Sequence, residues 1–169
     1  MNVVAQDGQD EGAGAHRRPI VIADAAQLRT SIGAAPFVSA AVTIDQAHID
    51  AFADVTGDRQ WIHVDPERAA RESPFGGPIA HGFLTLSLIP GLLMQTVHIE
   101  QRMGVNYGLN RVRFPSAVRV GARVRARFAV ADADDLPDGA LQVTWDVTVE
   151  ADDEAKPACV AQFVTRHYF

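Results

Sequence analysis

Residues 82–97, GFLTLSLIPGLLMQTV, decide the fold of this chain. Apolar residues would occupy every face of a helix built from this stretch, and that pattern predicts a buried helix. Pro90 lies near its middle, where the missing backbone N–H predicts a kink. The apolar run over residues 79–97 is interrupted by His81 and Gln95 and falls short of the ~20 mostly apolar residues that span a bilayer. We therefore expect an interior helix and no membrane span.

Beyond this helix the hydrophobic period changes from 3.6 to 2, which indicates strands. Apolar residues alternate with arginines in one segment and with threonine and acidic residues in another. The predicted strands are residues 104–114, 118–131, 140–150 and 158–168. Upstream, Asp24, Asp45 and Asp65 have the character of helix N-caps. Helices followed by consecutive strands predict an α+β fold in which an antiparallel sheet covers a buried helix.

The composition excludes several classes of function. The chain has 169 residues, with 15 Lys and Arg against 21 Asp and Glu, for a net charge of −6. This balance argues against broad binding to nucleic acid or to an anionic membrane. The single cysteine excludes an intramolecular disulfide and a CxxC metal site, which indicates a cytoplasmic protein. Residues 1–18 are polar, resemble no signal peptide and are predicted to be disordered, so residues 19–169 are expected to form one domain.

Two short segments carry residues suited to catalysis. Asp58 and His63 follow Gly57 in a stretch without periodicity, and a carboxylate with an imidazole can share proton removal and proton donation. His81 and Gly82 begin the apolar helix, whose first N–H groups have no partner within the helix and can stabilise an oxyanion. The same residues also suit plain structural roles, with Asp58 in a turn, the histidines as packed polar groups and Gly82 easing close packing. Local spacing is compatible with both interpretations.

For the other side chains that could bind or react, a structural role is the simpler interpretation. Asp58, His63 and His81 could form a two-histidine, one-carboxylate metal set, but their spacing matches no compact metal motif, so we expect no metal. The arginines in residues 119–127 alternate along a strand, which is typical of a solvent face, although they could also bind phosphates. Cys159 has no neighbouring base in the sequence and is predicted to be an unreactive buried thiol.

Several of these residues fall in stretches that resemble the MaoC-like, (R)-specific enoyl-CoA hydratases. Residues 52–66, FADVTGDRQWIHVDP, are similar to the hydratase signature of that family, and residues 78–83, PIAHGF, resemble its second conserved stretch. The similarity continues through residues 106–115, NYGLNRVRFP, and residues 156–159, KPAC. It covers about residues 25–168 and is closest to single-domain, nodulation protein N-like hydratases of actinobacteria.

This resemblance implies a hot-dog fold, an antiparallel sheet wrapped around a long central helix, and a homodimer. It also implies reversible hydration of a trans-2-enoyl thioester to the (R)-3-hydroxyacyl product. The catalytic pair would be Asp58 and His63, with the N–H of Gly82 in the oxyanion hole. Residues with pocket or positioning roles would be Gln60, Trp61, His81 and Asn106. No cofactor is implied, because coenzyme A is part of the substrate, and an acyl carrier protein could replace it.

The chain departs from the family pattern at two places. Gln60 and Trp61 stand where many members have Asn-Pro, and Pro90 stands where some have a serine that faces the aspartate. Two other functions remain open on the same fold. One is hydrolysis of an acyl thioester, and the other is acyl-thioester binding by a non-catalytic or partner subunit.

Overall fold

The computed structural model describes residues 18–152 and 154–169. The strands in these residues are β1 (Ile20–Ile22), β2 (Phe37–Val38), β3 (Val42–Thr43), β4 (Val97–Ile99), β5 (Met103–Arg113), β6 (Arg123–Asp135), β7 (Leu141–Ala151) and β8 (Cys159–Tyr168). An antiparallel sheet has the order β2-β6-β7-β8-β5, and β3 also pairs with β6. β1 and β4 form a separate parallel pair. The segment predicted to be disordered, residues 1–18, lies outside the described residues except for Arg18.

The helices in the described residues are α1 (Ala25–Thr30), α2 (Gln46–Thr56), α3 (Trp61–Val64), α4 (Pro66–Glu72), α5 (Gly82–Ser87) and α6 (Ile89–Thr96). The three predicted N-caps are confirmed, since the side chains of Asp24, Asp45 and Asp65 each accept a hydrogen bond from a backbone N–H three residues on. Such caps satisfy N–H groups that the helix itself leaves unpaired. They fix where α1, α2 and α4 begin.

The predicted central helix is interrupted near Pro90, as expected. α5 ends at Ser87, and α6 begins at Ile89 with Pro90 in its first turn. Proline fits a first turn because the N–H that it lacks would have no partner there. α6 ends at Thr96, next to the expected end at about residue 97, and Val97 then pairs with Ile20 in the parallel sheet.

The prediction that this helix is buried on every face is wrong. Leu84, Leu92 and Leu93 pack into the core with the inner face of the sheet. Phe83 and Met94, in contrast, are 67% and 70% exposed. The sheet covers one side of α5 and α6, and these two large apolar side chains lie on the side that it leaves open.

The sheet supplies most of the core. Alternate residues of β7 are buried, namely Leu141, Val143, Trp145, Val147, Val149 and Ala151. The strand predicted over residues 118–131 begins five residues later, at Arg123. Gly121 adopts a φ of +86°, a left-handed conformation suited to glycine, and the chain turns there before β6 starts. No helix in the described residues combines the length and the apolar character needed to cross a bilayer.

A chain of buried polar groups runs across β7 and β8. The indole N–H of Trp145 donates to Thr165 Oγ1 at 2.9 Å, and Thr165 Oγ1 lies 2.7 Å from His167 Nε2. His167 Nδ1 lies 2.7 Å from Gln101 Oε1, to which it donates. His167 is 4% exposed, and burial lowers its pKa to about 4. The neutral imidazole satisfies both neighbours, whereas protonation would place a charge in the core.

We expect His167 to make the protein less stable in acid. Its pKa is about 4 in the folded chain and near 6.5 when unfolded, so the unfolded state takes up a proton first as the pH falls. Between pH 7 and pH 4.5 this difference should remove about 2 kcal/mol from the free energy of unfolding. Urea denaturation at both pH values, compared with His167→Gln, measures it. Gln can replace both hydrogen bonds without titrating, so equal pH losses in the two proteins would contradict the prediction.

Candidate active site

Asp58 is placed by the end of α2. Gly57 caps this helix with φ +77°, and its N–H donates to Ala53 O. The left-handed turn ends the helix one residue before Asp58. The carboxylate of Asp58 is exposed, and it makes no hydrogen bond within residues 18–152 and 154–169. It is free to contact a ligand.

His63 lies in α3, a single turn that the sequence pattern did not predict. Its side chain is 6% exposed, and Nδ1 lies 2.7 Å from the carbonyl oxygen of Ile79. A carbonyl accepts but cannot donate, so Nδ1 carries the hydrogen, and in the neutral ring Nε2 holds a lone pair. The main chain therefore selects the tautomer in which Nε2 can act as a base.

The segment just before α5 holds His63 in position. The N–H of Ile79 donates to Ile62 O at 3.1 Å, while its carbonyl accepts from the His63 ring. The N–H of Ala80 donates to Val118 O at 2.7 Å. This segment is therefore bonded to α3 on one side and to the chain before β6 on the other. On the far side of α3, Gln46 Nε2 donates to the backbone oxygen of His63 at 2.8 Å.

His81 lies against both predicted catalytic residues. Its ring stacks on that of His63, with the two centroids 3.7 Å apart and the planes at 28°. Its Nε2 lies 2.9 Å from the backbone oxygen of Asp58. His81 is also the N-cap residue of α5, so the next N–H along the chain belongs to Gly82. The folded chain thus brings Asp58, His63, His81 and Gly82 into one site.

Gly82 is required by close packing against Phe114. A Cβ added to Gly82 would lie 3.0 Å from Cγ and Cδ2 of Phe114, closer than such contacts normally allow. Gly82 is the first residue of α5, where a backbone N–H has no acceptor one turn earlier in the helix. A carbonyl oxygen that gains negative charge could be held at such a group.

His63 is kept neutral near pH 7 by its surroundings. Burial is the largest influence and lowers its pKa below the ordinary value near 6.5. The hydrogen bond to Ile79 acts in the opposite direction, His81 lowers the pKa further, and the charge of Asp58 raises it. The imidazole is therefore available as a proton acceptor near neutral pH.

The same three side chains could be considered as metal ligands, since one ligand atom from each of Asp58, His63 and His81 lies within 4.8 Å of the others. The stacked rings argue against this use. Lone pairs of imidazole lie in the ring plane, and those of two nearly parallel rings cannot both point at one ion. Nδ1 of His63 and Nε2 of His81 are in addition occupied by backbone carbonyls. The geometry suits hydrogen bonding better than coordination.

Within the part of the chain that the structure describes, the side chains of the remaining predicted site residues make no hydrogen bond to this centre. Gln60 is the N-cap residue of α3, and its backbone oxygen accepts from the N–H of His63 at 2.9 Å. Trp61 begins α3 with Arg68 stacked 4.4 Å from its ring centre. Asn106 is on β5, where it lines a cavity of about 490 Å³ that extends to α6, and no hydrogen bond within the described residues joins it to Asp58 or His63.

The predicted arginine face is exposed, and much of it is neutralised. Its ion pairs are Arg123–Asp152, Arg125–Glu150 and Arg127–Glu150, at 4.0, 3.1 and 3.9 Å. These pairs favour the solvent-face interpretation over phosphate binding. Cys159 is buried, and burial raises its pKa to about 11, in agreement with an unreactive thiol.

Sequence reasoning missed three contributors to the site, namely Gln46, the carbonyl of Ile79 and Phe114. The carbonyl is backbone, which no residue-type pattern marks. Phe114 lies 32 positions after the glycine that it contacts, so only the fold joins them. For Gln46 a weak signal exists, because it follows the N-cap Asp45 and a first-turn residue often contacts the next loop.

Comparison with known proteins identifies the family of the chain. Residues 27–152 match the family described as MaoC like domain. The chain is 53% identical to 3-hydroxyacyl-thioester dehydratase Z of Mycobacterium tuberculosis (strain ATCC 25618 / H37Rv) over 127 residues, which is 75% of this chain and 83% of that protein. It is 52% identical to nodulation protein N of Rhizobium leguminosarum bv. viciae over 126 residues, 73% of this chain and 78% of that protein.

Among solved structures, the (R)-hydratase from A. caviae involved in PHA biosynthesis superposes with a TM-score of 0.60 at 26% identity. The match covers 78% of this chain and 94% of the hydratase. The expected hot-dog α+β fold is therefore confirmed, as is the expected hydratase and dehydratase class of enzyme. The chain belongs to the MaoC-like dehydratase family.

Proposed function

We propose that the protein adds water reversibly to a trans-2-enoyl thioester and forms the (R)-3-hydroxyacyl thioester. The observation that carries this proposal is the tautomer of His63. Its Nδ1–H is bonded to Ile79 O, so Nε2 holds the lone pair. One ring nitrogen of His63 lies within 4.8 Å of an Asp58 carboxylate oxygen and of a ring nitrogen of His81, the residue that precedes α5. A water molecule held between these groups has an acceptor for its proton as its oxygen attacks C3.

The reaction transfers two protons and develops negative charge on one oxygen. Water loses a proton when its oxygen bonds to C3, C2 gains a proton, and the thioester oxygen carries negative charge in between. Asp58 and His63 hold the water and handle both proton transfers, which leaves their combined proton count unchanged after one turnover. The N–H of Gly82 stabilises the enolate-like oxygen. The reaction is redox-neutral and so requires no redox cofactor. Because Asp58, His63 and the N–H of Gly82 account for both protons and for the negative charge, we propose that no metal takes part.

The names of related proteins support the substrate and the stereochemistry. The M. tuberculosis relative is named for dehydration of 3-hydroxyacyl thioesters, and the A. caviae neighbour is named an (R)-hydratase. We propose coenzyme A thioesters as the substrate, with acyl carrier protein thioesters as the alternative carrier. An unreactive buried thiol and the absence of disulfides are compatible with the reducing cytoplasm, where such thioesters occur.

The proposal is tested by incubating the purified protein with crotonyl-CoA and with longer trans-2-enoyl-CoAs. Loss of the enoyl absorbance with appearance of the (R)-3-hydroxyacyl-CoA, resolved by chiral chromatography, is the expected result. Release of free coenzyme A with the double bond intact would instead show a thioesterase. Tight binding without turnover would show a non-catalytic subunit. Repeating the assay with the same acyl groups on an acyl carrier protein identifies the carrier.

We also propose that the protein works as a homodimer built on β5. This strand pairs with β8 along one edge, and within the described residues no strand pairs with its other edge. The apolar side chains exposed on β5 and on the open side of α5 and α6 are Phe83, Met94, Met103, Val105, Tyr107 and Leu109. An unpaired strand edge beside a large exposed apolar surface favours pairing with a second copy.

We expect Val105→Asp to convert the dimer to a monomer, because it places a charge on the edge that we propose is paired. Val55→Asp is the matched control, since Val55 is 81% exposed on α2, away from β5. Light scattering coupled to size-exclusion chromatography measures the mass of each protein. A wild-type protein that is monomeric at micromolar concentration, or equal masses for both variants, would contradict the proposed dimer.

A further inference from the structure

The fold holds Asp58 in place through its backbone and not through its carboxylate. Within the described residues the carboxylate has no hydrogen-bond partner, and the Asp58 N–H is 3.4 Å from Thr56 Oγ1, which is a long contact. The backbone oxygen of Asp58, by contrast, is 2.9 Å from Nε2 of His81. This contact links two residues that are 23 positions apart in the chain.

His81 is itself rigidly packed. It is 3% exposed, and its ring lies between His63, at a centroid distance of 3.7 Å, and Phe52, at 5.1 Å. It immediately precedes Gly82, whose position is limited by Phe114. One buried side chain is therefore in contact with the ring of His63 and with the backbone of Asp58, and it adjoins the proposed oxyanion donor.

The hydrogen bond to Asp58 also fixes the tautomer of His81. A carbonyl can only accept, so Nε2 carries the hydrogen, and in the neutral ring Nδ1 holds a lone pair. That nitrogen is buried without a hydrogen-bond partner within residues 18–152 and 154–169. Two stacked imidazoles this close cannot both carry a positive charge without strong repulsion. The titratable side chains that act on His63 are His81 and Asp58.

We propose that His81 is a positioning residue that holds the Asp58 loop and the His63 ring in their catalytic arrangement. The proposal rests on the proposed hydratase function and extends it to a residue that need not touch the substrate. Correct placement within about 1 Å can be worth as much as 10²-fold in rate, so a side chain that anchors both catalytic groups should matter mainly for kcat.

Two substitutions separate the hydrogen bond from the ring contact. His81→Phe keeps an aromatic ring between Phe52 and His63 but has no donor for Asp58 O, whereas His81→Gln keeps an N–H donor and loses the ring. We expect His81→Phe to lower kcat by about 10-fold or more with little change in KM, and His81→Gln to recover most of that loss. Because both variants remove the second imidazole, the acidic limb of the kcat/KM profile should move to higher pH in each.

The outcomes distinguish this proposal from the proposed function. If His81→Phe keeps the wild-type kcat and pH profile while substitutions of Asp58 and His63 abolish hydration, the positioning role is wrong and the hydratase function stands. Imidazole ¹⁵N NMR of the wild-type protein gives a test that needs no variant to fold. We expect His81 to be the Nε2–H tautomer, and an Nδ1–H tautomer would overturn the proposal even if no enoyl substrate were turned over.

Discussion

Asp58→Asn and His63→Gln should each lower kcat for enoyl-thioester hydration by about 10²-fold or more, the usual scale of general acid–base catalysis. Asparagine keeps the size of Asp58 but cannot exchange a proton at neutral pH. Glutamine at position 63 can still donate to Ile79 O but has no basic nitrogen to replace Nε2. The hydration rate is measured under saturating crotonyl-CoA.

Matched substitutions elsewhere show whether such losses are specific. Asp134 is exposed on β6, and His48 is exposed on α2. Asp134→Asn and His48→Gln make the same chemical changes outside the site and should keep wild-type rates. Thermal unfolding of all four variants shows whether the fold is retained. Near wild-type hydration by a folded Asp58→Asn or His63→Gln variant would refute the assigned dyad.

Gly82→Ala should lower kcat by about 10-fold or more, because the new methyl group meets the Phe114 ring at 3.0 Å. The ring or the start of α5 must move by a few tenths of an ångström, and the N–H that we place at the thioester oxygen moves with it. Stability should change little, because the preference of a helix for alanine over glycine, at most about 1 kcal/mol at this first position, is offset by the contact with the ring. Hydration kinetics and thermal melting of the same sample measure both effects.

The double variant Gly82→Ala/Phe114→Ala tests this steric explanation. Removing the ring provides space for the added methyl group, so the double variant should be more active than Gly82→Ala alone. Phe114→Ala by itself is the reference for loss of the ring, which is 39% exposed and contributes modestly to the core. An inactive double variant with an active Phe114→Ala protein would mean that residue 82 acts by something other than its contact with Phe114.

Sequence patterns predicted those elements of the fold that depend on contacts between residues close together in the chain. Asp24, Asp45 and Asp65 mark helix starts because a side chain reaches an N–H three residues on. The predicted strand over residues 118–131 began too early, since the valines before Gly121 share the period of a strand but lie in the connection and turn that precede β6. α3 was missed because four residues are too few to show a helical period.

The candidate site was likewise predictable only where its residues are close together in the sequence. Asp58 and His63 are five positions apart, so their proximity follows from chain connectivity. The stacking of His81 on His63 does not, because it depends on residues 78–80 being bonded both to α3 and to the chain before β6. The exposure of Phe83 could not be inferred either, since a single sequence does not show which face of a helix a sheet will cover.

The tautomers of both site histidines are selected by main-chain oxygens, those of Ile79 and Asp58. The side chain at position 79 can therefore change during evolution without altering which ring nitrogen of His63 carries the hydrogen, provided that the backbone keeps its course. Proline at position 79 would be excluded, because the N–H of that residue bonds to Ile62 O. Selection on this part of the molecule should act on the course of the loop more strongly than on the identity of its side chains.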